Sequence, residues 1–202
     1  MNRVCLDAVG MLGCCLLLAC SSSPPMRYYT LNDIASATPL SAAGNQIAVR
    51  VEPVIIPSEL DRLELVSHSG PNRVRIADSD RWAAPLEDQI RRIVSDDLST
   101  RLPAHWVSDP NEPASAEPRR LLSITIAEFY GDETCAVTLR ANWTLRNSNA
   151  GSEPNAGSEQ GTEQVQIPGI GPCVGALPAA MSRALAVLSD RLAAVIVAGG
   201  RS

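Results

Sequence analysis

The sequence predicts an α+β fold: a mainly antiparallel, mixed β-sheet with two amphipathic helices packed on one face. Three observations lead there. Aliphatic and polar residues alternate with period two in several segments between residues 47 and 167. The spacing changes to three and four in two stretches, Leu86-Ile90-Ile93-Val94-Leu98-Leu102 and Leu177-Met181-Leu185-Leu188-Leu192-Ile196. The order of these switches is β-β-β-β-α-β-β-β-α, and helices of such length must bury their stripes against the only large partner available, the sheet.

The first element is a signal. Arg3 supplies a positive charge, and residues 8–19 form an apolar run too short to span a bilayer. The run ends in Leu17-Leu18-Ala19-Cys20, which resembles the lipobox read by the lipoprotein signal peptidase, and the composition then changes to Ser21-Ser22-Ser23-Pro24-Pro25. The expected organisation is a cleaved lipoprotein signal peptide over 1–19, a lipidated N-terminus, flexible tether and short first strand over 20–45, and one α+β domain over 46–202. Cys20 is the lipid attachment residue in this reading, carrying diacylglycerol and an N-acyl chain. No cofactor is expected.

Arg27 to Leu31 reads as a short strand. Ile47, Val49 and Val51 alternate with Ala48, Arg50 and Glu52 as a second strand, and Pro53 and Pro57 restrict its pairing to an edge or a bulge. Leu63 and Leu65, then Val74 and Ile76, flank Ser69-Gly70-Pro71-Asn72 as a β-hairpin. The first helix is expected over 85–101, with Pro85 at its start, Glu87 and Asp88 at the positive end of its dipole, and Asp78-Ser79-Asp80 capping it. Residues 108–118 form a proline-rich loop. Two long strands follow at about 120–130 and 135–146, the second alternating strictly from Val137 to Arg146 so that one face is buried and one wet. The stretch 147–162 contains Asn-Ala-Gly-Ser-Glu twice and reads as a disordered loop, before a short strand at Val165–Ile167. The last helix stops at Gly199-Gly200.

Charge and chemistry exclude whole classes of function. A net charge of −5, with the arginines scattered and no lysine present, disfavours nucleic acid. Gly169-Ile170-Gly171-Pro172-Cys173-Val174-Gly175 has the wrong spacing for a dinucleotide loop and reads as a turn into the last helix. His68 and His105 have no nucleophile or acid arranged around them, so surface or capping roles suit them better and no catalytic residue is assigned. No metal site is assigned, because two cysteines and two distant histidines lack a recognisable ligand spacing. Past Cys20 only Cys135 and Cys173 remain. An even pair in an oxidising compartment is a disulfide candidate, the alternative being two unrelated buried thiols.

Several segments look positioned without looking catalytic: Tyr28-Tyr29-Thr30-Leu31, Val49-Arg50-Val51-Glu52-Pro53-Val54 with Ile56-Pro57, Leu60-Asp61-Arg62, and Arg81-Trp82-Ala83-Ala84-Pro85-Leu86. Alone, Trp82 is a core aromatic and Asp61 with Arg62 a solvated pair. Taken with the lipobox, Trp143 in the long hairpin and the alanine-rich final helix, the chain resembles the PqiC-like family of auxiliary lipoproteins of ABC-type lipid transport systems over nearly its whole mature length. The resemblance implies a non-enzymatic periplasmic lipoprotein, anchored in the outer membrane, that works beside an envelope-spanning MCE-domain protein and its ABC/permease system. Ser21 after the lipidated cysteine agrees with outer-membrane sorting, the alternative being the periplasmic face of the inner membrane. Leu60, Asp61, Arg62, Arg81 and Trp82 are the candidate partner-binding residues, and homo-oligomeric assembly stays open. A regulator that activates a cell-wall synthesis enzyme is the alternative function.

Overall fold

The computed structural model of the chain describes residues 24–34, 40, 48–108, 119–148, 158–169 and 173–199. The expected element order is found: β1 (Arg27–Tyr29), β2 (Ala48–Val51), β3 (Glu64–His68), β4 (Val74–Trp82), α1 (Leu86–Arg101), β5 (Arg119–Gly131), β6 (Val137–Asn147), β7 (Glu159–Ile167) and α2 (Cys173–Gly199). The strands form one mixed sheet in the order β1-β4-β3-β5-β6-β7. β2 lies beside β5 in parallel, Ala48 to Val51 against Arg119 to Leu122, and β3 meets the far end of that same β5 edge at Ser67 and Gly131. The expected restriction of β2 by Pro53 and Pro57 is visible here. After Val51 only single contacts continue the pairing, Ile55 with Thr125 among them.

Alternation decides which side of the sheet is covered. Leu122, Ile124 and Ile126 of β5 and Val137, Leu139, Ala141, Trp143 and Leu145 of β6 are all buried. A register shift between Ile126 and Glu128 lets the buried Phe129 take up the alternation toward the helices, while Glu128 faces Arg140 across the ladder. The stripes of α1 (Leu86, Ile90, Ile93, Val94, Leu98) and α2 (Leu177, Met181, Leu185, Leu188, Leu192, Ile196) complete this core. Burying one such aliphatic side chain contributes about 1.5–3 kcal/mol, so the two stripes dominate the local energetics. On the other side β6 presents Thr138, Arg140, Asn142, Thr144 and Arg146, and β7 presents Gln160, Thr162, Gln164 and Gln166 to water.

Two expectations need correction. Asp78-Ser79-Asp80 does not cap the first helix: it lies within β4, and the N-cap position is Pro85, which makes no side-chain cap bond. β4 runs on to Trp82 because Asp80 is held by Arg27 and Tyr29, not by free helix-terminal amides. The last strand starts at Glu159, not Val165, so residues 159–162 of the expected disordered loop are ordered against β6. Gly161 lets the strand pass over the Trp143 ring, where an added Cβ would lie 2.7 Å from Cζ2. Glu159 and Glu163 are drawn in by Arg120 and Arg191. Residues 149–157 of that loop, the proline-rich stretch 109–118, the signal with Cys20, residues 170–172 and Gly200 lie outside the described residues, while Asn147 ends β6.

Behind β1 the chain crosses the helices as a strap. The Leu31 side chain is fully buried, and Gln89 Oε1 accepts from the Leu31 amide at 2.9 Å. Ser182 Oγ accepts from the Asn32 amide at 3.1 Å, and Asp97 Oδ1 from the Ile34 amide at 2.8 Å. Buried backbone groups outside a ladder need such partners, which explains polar side chains inside otherwise apolar helix faces.

Candidate functional site

The segments singled out in the sequence converge at one end of the β3–β4 ribbon. The turn before β3 is closed by the Leu60 amide on the Pro57 carbonyl (2.9 Å) and the Arg62 amide on the Leu60 carbonyl (2.8 Å). From there the chain pairs with the end of β4: the Trp82 amide donates to the Leu63 carbonyl at 2.6 Å, and Arg81 Nη2 lies 3.4 Å from Glu64 Oε1. On the other side of β4, β1 adds its three residues in parallel, with Tyr28 beside Arg81. The Ala83 amide then donates to the Tyr29 carbonyl, and Gln89 bridges the Ala84 carbonyl, Thr30 Oγ1 and the Leu31 amide.

The five candidate partner-binding residues divide by burial. Leu60 and Trp82 are 5% and 3% exposed, so their side chains serve the core and are not available at the surface. Asp61 and Arg62 are exposed, and Arg81 is half-buried. Tyr28, 65% exposed beside Arg81, joins this surface. The sequence offered no signal for that neighbour, because a parallel pairing over fifty residues leaves no local spacing pattern. Arg81 Nε is buried without a hydrogen-bond partner among the described residues, although its Nη2 reaches Glu64. An unsatisfied buried donor on a half-buried arginine is a group that another acceptor would stabilise.

Behind this surface the sheet edge is locked electrostatically. Arg27 Nε and Nη2 contact the two oxygens of Asp80 at 2.6 and 2.8 Å, and Tyr29 Oη donates to Oδ1 at 3.0 Å. The guanidinium holds the Asp80 carboxyl below the usual carboxylate range, against the opposing effect of burial. Tyr29 is shifted up, by burial first and then by its bond to Asp80.

Along the ribbon, from Asp80 to Ser69, a groove of about 310 Å³ separates the hairpin from the start of α2 and the β5–β6 turn. Leu65, Val66 and Leu177 are its apolar lining, and Arg75, Asp80, Asp132 and Glu133 supply charge. Asp132 Oδ1 accepts from Thr134 and from the Ala136 amide, bonds that hold its pKa down. Cys135 lines the same groove, is 1% exposed with φ +61°, and is disulfide-bonded. The backbone of Cys173 begins α2, while its side chain lies outside the described residues. His68 stacks on Tyr130 with ring centroids 4.0 Å apart, and His105 is exposed in a left-handed turn.

Residues 29–193 match the family model of the ABC-type transport auxiliary lipoprotein component. The intermembrane transport lipoproteins PqiC of Escherichia coli (strain K12) and Shigella flexneri are each 31% identical over 132 residues, spanning 65% of this chain and 69% of the relative. Among solved structures, an uncharacterised protein superposes with a TM-score of 0.70 at 20% identity, covering 86% of this chain and 99% of its own. A Xanthomonas campestris protein of family DUF330 gives 0.65 at 19% identity, covering 86% and 96%. These two share the fold.

Proposed function

Since the chain belongs to the family of ABC-type transport auxiliary lipoprotein components, we propose that it is the docking subunit of an MCE-type lipid transport system. In this reading it is held through lipid on Cys20 at the periplasmic face of the outer membrane and binds the envelope-spanning MCE protein without making or breaking a bond. The observation that carries the proposal is the convergence of the family's segments, far apart in sequence, into one surface of Asp61, Arg62, Arg81 and Tyr28. Leu60 and Trp82 fix that surface from below. Binding groups displayed from turns on a rigid sheet fit a docking role, and arginine and tyrosine are common interface anchors.

Burial dictates which substitutions can test it. Trp82→Ala would empty a core site and cost about 3–5 kcal/mol of stability, so loss of binding there would be uninformative. Arg62 is exposed, and the Arg81–Glu64 pair is of the partly exposed kind worth about 0–1 kcal/mol. Arg62→Ala and Arg81→Ala should therefore melt close to wild type, while each weakens capture of the MCE protein by roughly 2 kcal/mol, about thirtyfold. Wild-type capture by both variants would move the contact elsewhere.

A further inference from the structure

We propose that the tip of the β3–β4 hairpin rests on the phospholipid surface, so that the domain stands on the membrane with its docking surface pointing away. The inference rests on the lipidated-Cys20 reading and adds a direction to it. β1 runs parallel to β4, with Arg27 opposite Asp80. The chain preceding Arg27 therefore leaves the domain toward the start of β4, where the turn 69–73 lies. From Cys20 to Arg27 an extended chain spans at most about 25 Å. β4 is bulged between Ile76 and Arg81, so β3 spans the stretch from Arg81 to Val74 in four residues, about 13 Å, and the turn lies within the tether's reach. A tether of that length lets the acylated cysteine reach the level of the hairpin tip, which places the tip at the headgroups.

The chemistry at that tip suits a lipid surface. Val74 and Ile76 are 45% and 46% exposed, far more than is usual for aliphatic strand residues. They share one face: His68 pairs with Val74 and Val66 with Ile76, and His68 stacks on Tyr130 of the helix-free side. Arg73 and Arg75 flank Val74, both exposed, and Arg75 also exerts an electrostatic pull on Asp80. Aliphatic side chains with adjacent guanidinium groups match an acyl boundary beneath phosphates. Asp132 and Glu133 lie near the same end, so the local charge is close to balanced and apolar contact must drive the docking. The turn itself is tight, with the Ser69 amide on the Arg73 carbonyl at 2.8 Å and Gly70 at φ +108°.

The test places a reporter on the lipidated mature protein in vesicles of phosphatidylethanolamine and phosphatidylglycerol whose acyl chains carry bromine near the headgroup. The native Trp82, Trp106 and Trp143 are 3%, 4% and 8% exposed and form a constant background. Ile76→Trp should lose most of its added emission in brominated vesicles relative to plain ones. Ile55→Trp, at a site 63% exposed beside Thr125 and roughly 20 Å back along β5 from the hairpin end, should not. Flotation with the vesicles is measured first. Protein that fails to float removes the anchor and this orientation together. Protein that floats with Ile76→Trp unquenched, or with both probes quenched alike, overturns the orientation and leaves the anchor standing. Should Ile76→Trp lower the melting temperature, Val74→Trp takes its place.

Discussion

Replacing Arg101 by methionine tests whether the strap behind β1 is held by a buried charge. The Arg101 side chain is 3% exposed and lies 3.3 Å from Asp97, whose side chain is fully buried. Its Nε donates to Asp190 Oδ1 at 2.5 Å, Nη1 to the carbonyls of Ile34 (3.0 Å) and Asp97 (2.9 Å), and Nη2 to that of Ala186 (3.2 Å). One guanidinium thus joins α1, α2 and the strap, and the Leu40 amide donates to the Arg101 backbone carbonyl at 2.7 Å. Methionine preserves most of the volume, so the loss is chiefly electrostatic. Removing one partner of a buried pair costs about 3–5 kcal/mol. Asp190, 56% exposed, turns to water and adds little. For a domain of this size about 4 kcal/mol corresponds to a fall in Tm of roughly 8–16 °C. The pH dependence has a definite sign. Burial raises the Asp97 pKa against the pull of the Ile34 amide and Arg101, so its ionisation opposes folding. That cost is absent below the unfolded value, near 3.9, and complete above the folded one. Without Arg101 the folded value climbs further. The deficit of Arg101→Met is therefore largest at neutral pH, shrinks toward about pH 4.5, and is partly recovered by adding Asp97→Asn. Scanning calorimetry at both pH values decides: a loss below about 1 kcal/mol at neutral pH, or a deficit indifferent to pH, refutes the reasoning.

Gly161→Ala should destabilise by about 1–3 kcal/mol in urea unfolding, because its Cβ would meet the Trp143 ring at 2.7 Å; a neutral result would show that the edge strand shifts freely. Cys20→Ala should leave an unprocessed or mislocalised precursor that no longer incorporates labelled fatty acid; normal processing and fractionation would remove the lipoprotein reading. The disulfide of Cys135 is expected to close on Cys173, joining the β5–β6 turn to the start of α2 and stabilising the fold by roughly 4 kcal/mol. Peptide mapping of the unreduced protein checks the pairing, and a free Cys173 thiol would rule it out.

Element types and their order were legible because periodicity is local: the alternation from Val137 to Arg146 and the 3–4 spacing of both helices report burial within a few residues. The family's segments were legible for the same reason, being short contiguous patterns. Asp80 was misread because its partner, Arg27, is supplied by a parallel strand that no neighbouring residue announces. Residues 159–162 were misread because composition cannot weigh two distant arginines and the packing of Gly161 on Trp143 against polarity. Tertiary structure decided between the two readings of these segments, placing Leu60 and Trp82 in the core, Asp61 and Arg62 at the surface and Arg81 half-buried between them. A chain therefore declares by itself which residues want burial and with what period. Which of them meet depends on strand pairings of high sequence separation, where many registers satisfy the same local pattern and only the packed whole selects one.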